Sequence, residues 1–434
     1  MGPEASAGWE EARWRQVLLA MEAMLAVSLY EYTFTLFQLP LQKATGAPLA
    51  AVDLAYTLYV VVQALAQIPA GAVMDRFGPR PLMQAAALLA GAGWILAGLA
   101  RSLVQLWLAY GLGSLGPAIV YASAVSVALK WFPEPRLRGL VVGLEAGAFG
   151  AGSALFVPPV AALVGAGPAG WRQAFLLFGA FQLVLLLLVA RRLRYPPAGW
   201  RPETWGEEGE EERRSRRPRE VLATRRFYFL WLSFALMAGA GLMVTGNLAA
   251  IGRSGAFREA GSLTLLAVTL SRVSNGLGRL VAGWLSDRLG RPGSMLLFYG
   301  LAGVTLFLLR LGGAEPLAYV LLGGLFTFLW GPVFVLNPAA VGDDFGAEHA
   351  GANYGLLYTA KAAGGLFAGV GAAALAARTG GWQLDLDLAA AMALLAALLA
   401  AAAAGPPRPR AALGPLRPAG TRPAAARSGG TRGG

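Results

Sequence analysis

The chain has 434 residues, 56% of them hydrophobic and only 14% charged, with a mean hydropathy of +0.54. A soluble chain of this size carries about 25% charged residues. Here the apolar residues gather in long runs, which excludes a soluble globule and an alternating β-barrel and leaves an all-α membrane protein. The net charge of +12 lies mostly in polar stretches and tails, where membrane topology accounts for it without nucleic acid.

Twelve apolar runs, each long enough to cross a bilayer, follow in chain order. They cover residues 17–40, 51–74, 81–99, 102–129, 138–163, 171–193, 226–250, 261–286, 293–312, 317–341, 351–377 and 383–405. The implied organisation is a cytoplasmic arm at 1–16, a six-helix bundle at 17–193, a charged linker at 194–225, a second six-helix bundle at 226–405 and a disordered basic tail at 406–434. The arm is too polar for a signal peptide, so the first run is expected to be retained. Lys and Arg concentrate in the linker and termini, while the short loops on the two sides are balanced. That bias places both termini in the cytoplasm. The expected location is the inner membrane of a prokaryotic cell, and nothing in the sequence calls for more than a monomer.

Cysteine is absent and the one histidine, His349, sits in a polar loop. Disulfides, thiolate metal sites, zinc clusters and catalytic triads are thereby removed. No cofactor, metal or enzymatic activity is expected, since no nucleophile–base pair or phosphate loop is visible. The run GLGSLG at 111–116 fits GxGxxG, but no βαβ unit surrounds it, so it reads as helix packing.

An internal repeat organises the chain. GAVMDRFGPR at 71–80 follows the second run and GWLSDRLGRP at 283–292 follows the eighth. Asp75 pairs with Asp287, Arg76 with Arg288 and Gly78 with Gly290, each offset by 212 residues, as 287 minus 75. Parallel six-helix repeats about an axis along the membrane normal are a transporter plan, with substrate at the midplane. The repeated GxxxDRxGxR loop resembles the signature of the major facilitator superfamily, over all twelve runs. That resemblance implies twelve transmembrane helices in two pseudo-symmetric bundles. It also implies that Asp75, Arg76, Arg80, Asp287, Arg288 and Arg291 latch the cytoplasmic side. A positively charged turn that only fixes topology is the alternative.

KWFPEPRLRG at 130–139, GWRQAF at 170–175, SNGLGRLVAGWLSDRLGR at 274–291 and NYGLLYTAKAAGG at 353–365 resemble the oxalate/formate antiporter branch. The resemblance implies alternating-access transport of small organic anions such as oxalate, formate or a monocarboxylate, by exchange. Proton-coupled monocarboxylate symport is the alternative, and a non-transporting membrane sensor a more distant one. In that branch an arginine on span eight and a lysine on span eleven bind the carboxylate, and Arg279 and Lys361 are their counterparts. Helical rise puts both at a similar depth, about 12 Å from the cytoplasmic edge, where a guanidinium fork and a mobile ammonium can clamp an anion. Internal pairing of each cation by a carboxylate is the competing reading. Arg272, seven residues before Arg279 and on nearly the same face, either extends the anion path or is structural. Tyr32, Tyr121, Phe149, Trp330, Phe334 and Tyr358 fall at the branch's cavity positions and form the expected cage.

The chain also departs from that branch. Glu31 and Asp53 stand where its oxalate carriers have neutral amides, and Glu145 is unexpected. By depth, Glu145 lies near Arg279 and Glu31 near Arg272, so each carboxylate is expected to pair with those cations until an anion or a proton displaces it. Gly139, Gly143 and Gly147, and Gly365 and Gly369, recur at four-residue spacing, which lets helices approach closely.

Overall fold

The computed structural model describes residues 3–132, 135–197, 200, 215–254, 261–346 and 349–403. The tail expected at 406–434 and the centre of the linker lie outside the described residues. Among the described residues, eleven helices are long and apolar enough to cross a membrane. They are span one (Glu11–Thr45), two (Leu49–Met74), three (Pro79–Leu99), four (Leu103–Trp131), five (Gly139–Gly165), six (Gly170–Arg192), seven (Arg225–Ser254), nine (Arg291–Gly312), ten (Pro316–Phe345), eleven (Gly351–Thr379) and twelve (Gln383–Ala402). Span eight is the helix Gly261–Leu289, 29 residues long. It is the least apolar of the twelve because it carries Ser271, Arg272, Ser274, Asn275 and Arg279 in its middle. Its polarity marks the helix that serves the interior.

The packing repeats with a shift of six. Span three lies along span six as nine lies along twelve, and one lies along five as seven lies along eleven. The pairs that join the halves obey the same operation: two against eleven, and eight against five. The repeated loops match in backbone conformation too. Gly78 and Gly290 both take positive φ, 75° and 84°, which only glycine adopts without strain. A proline then opens the next helix in each half.

Glycines bring the halves into contact. A Cβ on Gly147 would lie 3.3 Å from the Gly276 carbonyl, and one on Gly143 3.7 Å from the Cα of Gly283. Along the other seam, a Cβ on Gly71 would lie 2.9 Å from the Gly351 carbonyl and one on Gly355 3.0 Å from the Cα of Ile68. Gly365 faces Val60 and Gly369 faces Thr57. Both seams therefore run from the linker side of the molecule toward its far side. The GLGSLG segment is likewise a contact surface: Gly113 meets Gly93 and the Tyr30 hydroxyl, and Gly116 meets Ala86 and Ala90.

Four spans are interrupted near mid-depth. Span one breaks between Pro3–Tyr32 and Phe34–Thr45 at Thr33, whose hydroxyl donates back to the Leu29 carbonyl at 2.7 Å. Span four breaks at Ser114 and span ten at Gly331 and Pro332. Span eleven widens into a π-helical turn, Phe367–Gly371. Such turns recur at functional sites because they re-aim side chains without ending the helix.

The seams yield a prediction. On Gly276, even a Cβ would overlap Ala151, lying 2.8 Å from its backbone nitrogen. Gly276→Val is expected to cost about 1–3 kcal/mol of stability, read as a lower thermal midpoint in detergent, and to abolish transport. A variant with unchanged midpoint and activity would show that the five–eight seam does not close as tightly as described.

Candidate functional site

Where the interrupted spans meet, the interior becomes polar and charged. Arg272, Arg279 and Lys361 are all 0% exposed, and Glu31 is 3% exposed. Consecutive residues of a helix point about 100° apart. Glu31 and Tyr32, just before the break in span one, therefore address different neighbours. Glu31 faces spans two and eleven, whereas Tyr32 faces spans five and eight.

On the Glu31 side, Lys361 Nζ forms a salt bridge with Glu31 Oε2 at 2.5 Å. The ammonium also donates to Gln63 Oε1 at 3.0 Å and Tyr358 Oη at 3.3 Å. Tyr59 donates its hydroxyl to the same Glu31 oxygen at 3.1 Å. This differs from the pairing expected by depth, which matched Glu31 to Arg272. Rise along a helix fixes depth but not azimuth, and the azimuth of Glu31 points to span eleven.

On the Tyr32 side, Arg279 has only neutral partners. Its Nη2 donates to Tyr32 Oη at 2.7 Å, its Nη1 to the Ala146 carbonyl at 3.0 Å and its Nε to Asn275 Oδ1 at 3.1 Å. Two glycines make room for it. A Cβ on Gly150 would sit 3.0 Å from Arg279 Nε, and one on Gly331 3.1 Å from Arg279 Cγ. Arg272 lies 4.8 Å over the ring of the same Tyr32 and donates to the Thr245 carbonyl at 3.2 Å. Its Nε and Nη1 meet no acceptor among the described residues. The structure thus groups Arg272 with Arg279 about Tyr32, and Phe334 borders both Arg279 and Lys361. That ring is 4.6 Å from the Arg279 guanidinium and 5.2 Å from the Lys361 ammonium.

The six aromatic residues form one connected wall. Tyr32 meets Phe149 at 5.5 Å between ring centres, Phe149 meets Tyr121 at 5.6 Å and Tyr121 meets Tyr358 at 5.3 Å. Tyr358 meets Phe334 at 6.3 Å, and Phe334 meets Trp330 at 5.4 Å. Aromatic faces toward cations contribute about 2 kcal/mol or more each when desolvated, so the wall holds the charges without neutralising them.

Glu145 is separate from the cations. It is 2% exposed, and neither carboxyl oxygen has a hydrogen-bond partner among the described residues. The expected pairing with Arg279 is not formed. Glu145 lies one turn before Phe149 on span five, on the linker side of the wall. Asp53 is also away from the cations. Its Oδ1 accepts from Gln38 at 2.9 Å, and Gln38 donates as well to the Gly246 carbonyl across the halves at 3.3 Å.

Both ends of the site are closed. At the far end, the Gln38 bridge is joined by Val370 N–H to Thr57 Oγ1 at 3.2 Å and Asn247 Nδ2 to the Ala368 carbonyl at 3.1 Å, both using the π-helical turn. At the linker end, Arg291 bridges Asp287 at 2.6 Å and Asp343 at 2.9 Å. The Asp287 carboxylate also abuts Gly139, one turn into the helix Pro135–Gly165 that carries span five. Of the remaining loop residues, Arg288 stacks on Trp284 at 4.0 Å and Arg76 on Phe77 at 5.2 Å. Neither meets a carboxylate among the described residues. Arg80 lines a cavity with other arginines. The Asp75 side chain lies outside the described residues.

Several participants escaped the sequence reading. Asn275 orients Arg279, Gln63 and Tyr59 complete the Lys361–Glu31 cluster, and Gln38, Thr57 and Asn247 tie the far end. Each is a polar side chain inside an otherwise apolar run, and that is the signal that could have found them.

The chain matches the Major Facilitator Superfamily over residues 19–369 and, in a second match, 266–430. It is 32% identical over 395 residues to the oxalate:formate antiporter of Oxalobacter formigenes, covering 89% of this chain and 90% of that one. It is 31% identical over 309 residues to human monocarboxylate transporter 11, covering 66% of this chain and 61% of that one. The human organic anion transporter MFSD10 (TETRAN) has the same fold, with a TM-score of 0.67 at 17% identity, covering 89% of this chain and 99% of that one. The repeated bundles, the paired glycine turns and these matches agree: the chain is a membrane transporter of the major facilitator superfamily.

Proposed function

We propose that the chain is a secondary carrier of small organic anions, working by alternating access and by exchange. One observation carries this reading. Arg272 and Arg279 are fully buried, flank one tyrosine and have only neutral hydrogen-bond partners. Ionised groups in a dry interior cost several kcal/mol each without a counter-charge, and a guanidinium fork fits a carboxylate in two-point geometry. A small carboxylate held by Arg279 and Arg272, and reaching Lys361 past Phe334, supplies the missing negative charge. The similarity to an oxalate:formate antiporter supports this class of substrate.

In this reading the site closes readily only when loaded, so exchange outruns net movement. Asp287, Arg291 and Asp343 gate the linker side, and Gln38, Asp53, Thr57 and the π-helical turn gate the far side. We place both termini and the linker in the cytoplasm of a cell whose inner membrane holds the chain as a monomer. Proton-coupled symport is a second reading, favoured by Glu145. A lone buried carboxylate is costly, and a bound proton removes that cost.

Counterflow in proteoliposomes with oxalate, formate, acetate, lactate, pyruvate and malonate is the direct test. At least one is expected to exchange, at a rate about tenfold above its net uptake. Arg279→Gln and Arg272→Gln should each weaken apparent affinity about ten- to a hundredfold, the value of a charge-assisted hydrogen bond at 1.5–3 kcal/mol. Wild-type behaviour in both would overturn the anion site.

Lys361 needs a double variant. Lys361→Gln alone breaks a buried pair, at a cost of about 3–5 kcal/mol. Adding Glu31→Gln is expected to restore the thermal midpoint but not transport. Recovery of both would reduce Lys361 and Glu31 to a structural ion pair.

The second reading has its own measurement. Under exchange, counterflow is expected to be level between pH 5.5 and 8, and Glu145→Gln should leave it so. Uptake driven by an imposed pH gradient, and lost in Glu145→Gln, would replace exchange by symport.

A further inference from the structure

Away from the site, at the linker end of the first bundle, spans one, three and six line an open cavity of about 400 Å³ whose arginines are all exposed. Five arginines line it: Arg15, Arg80, Arg191, Arg192 and Arg194. Its single acid is Glu22. None of the five forms a salt bridge among the described residues. Like-charged guanidiniums gathered round one cavity repel each other, and one carboxylate leaves a lining charge of about +4, counting each guanidinium as one. Topology alone asks for arginines on this side of the membrane; it does not ask for them to converge.

The cavity is built, not incidental. Arg15, Leu18, Leu19 and Glu22 follow the spacing of one helix face on span one. Arg191 and Arg192 end span six, and Arg80 opens span three. The chain beyond span six is held in place at Arg194, whose N–H donates to the buried Gln16 at 2.7 Å and whose carbonyl accepts from the Trp131 indole at 2.9 Å. The walls turn apolar toward the membrane. Leu18 is 56% exposed at the rim. On span six, Leu188 and Val184, one and two turns inward from Arg192, are exposed as well.

We propose that this cavity binds the phosphate headgroup of an anionic phospholipid of the adjacent leaflet, with its acyl chains along Leu18 and Leu188. Guanidiniums grip phosphate oxygens in forked pairs. Basic pockets between transmembrane helices on the cytoplasmic side take anionic headgroups. The exposed leucines favour a lipid over a free anion, because only a lipid covers both the guanidiniums and the apolar rim. The excess of positive charge favours an anionic headgroup over a zwitterionic one, in which an ammonium would have to find Glu22.

Native mass spectrometry of the purified full chain, with equimolar phosphatidylglycerol, phosphatidylethanolamine and phosphatidylcholine, tests this directly. Phosphatidylglycerol is expected to be retained at least about tenfold over phosphatidylcholine, and each guanidinium removed should weaken that preference about fivefold. Arg15→Gln with Arg191→Gln should therefore bring the two lipids close to parity, while Arg101→Gln, in the loop between spans three and four, should change nothing. The wild-type competition decides the matter even if the double variant misfolds. Equal retention of phosphatidylglycerol and phosphatidylcholine overturns the site. Preferred retention of phosphatidylethanolamine overturns the anionic assignment. Displacement of phosphatidylglycerol by millimolar inorganic phosphate, with equal thermal stabilisation by phosphate alone, assigns the cavity to a free anion instead of a lipid.

Discussion

Positive charge shut away from bulk solvent is the constraint round which the interior is arranged. Arg272, Arg279 and Lys361 occupy a layer that both seams seal. Of the three, Lys361 alone has a carboxylate in direct contact among the described residues. Backbone carbonyls, an asparagine, a tyrosine hydroxyl and aromatic faces surround the two guanidiniums. Such groups orient a cation and soften its desolvation, but they carry no net charge. Among the described residues the two guanidiniums thus have polar company without a compensating charge, and the aromatic wall borders them.

The glycine seams set how that layer can be exposed. Two pairs of helices join the halves, and each is packed at backbone distance over much of its length. Along their glycine stretches, surfaces of this kind slide or separate as units, and the long side chains that cross them are gathered at the site, Arg279 to the Ala146 carbonyl and Lys361 to Gln63. Polar contacts at the two ends differ in kind. The linker end is held by ion pairs through Arg291, and the far end by neutral or singly charged hydrogen bonds through Gln38, Thr57 and Asn247. Salt screens the exposed members of the first set more than the buried members of the second.

Much of the fold was legible in the sequence, because apolar run length and the repeated DRxGxR loop report backbone requirements directly. Gly78 and Gly290 are glycines for the φ they adopt. Most span boundaries fell within a few residues of the helices; span one departs furthest, its helix beginning at Pro3 inside the expected arm and its apolar stretch reaching Thr45. The aromatic wall was legible as a set, and so was the burial of the three cations. Their pairing was not. Glu31 meets Lys361 and not Arg272, because depth can be counted along a sequence whereas the facing of a helix depends on how it packs. The lone Glu145 was beyond reach for the same reason. The break at Thr33 was hidden because its residues are all compatible with a helix.

That break gives span one an unusual standing. Glu31 and Tyr32 are joined by a single peptide bond, yet one holds the ammonium and the other touches both guanidiniums. The two arms of the site are 100° apart in azimuth and one residue apart along the chain. A twist of this turn that draws Tyr32 toward one arm must swing Glu31 relative to the other. The backbone there acts as a crankshaft: a displacement of Tyr32 beside the arginines and one of Glu31 beside the lysine are geared together by covalent geometry.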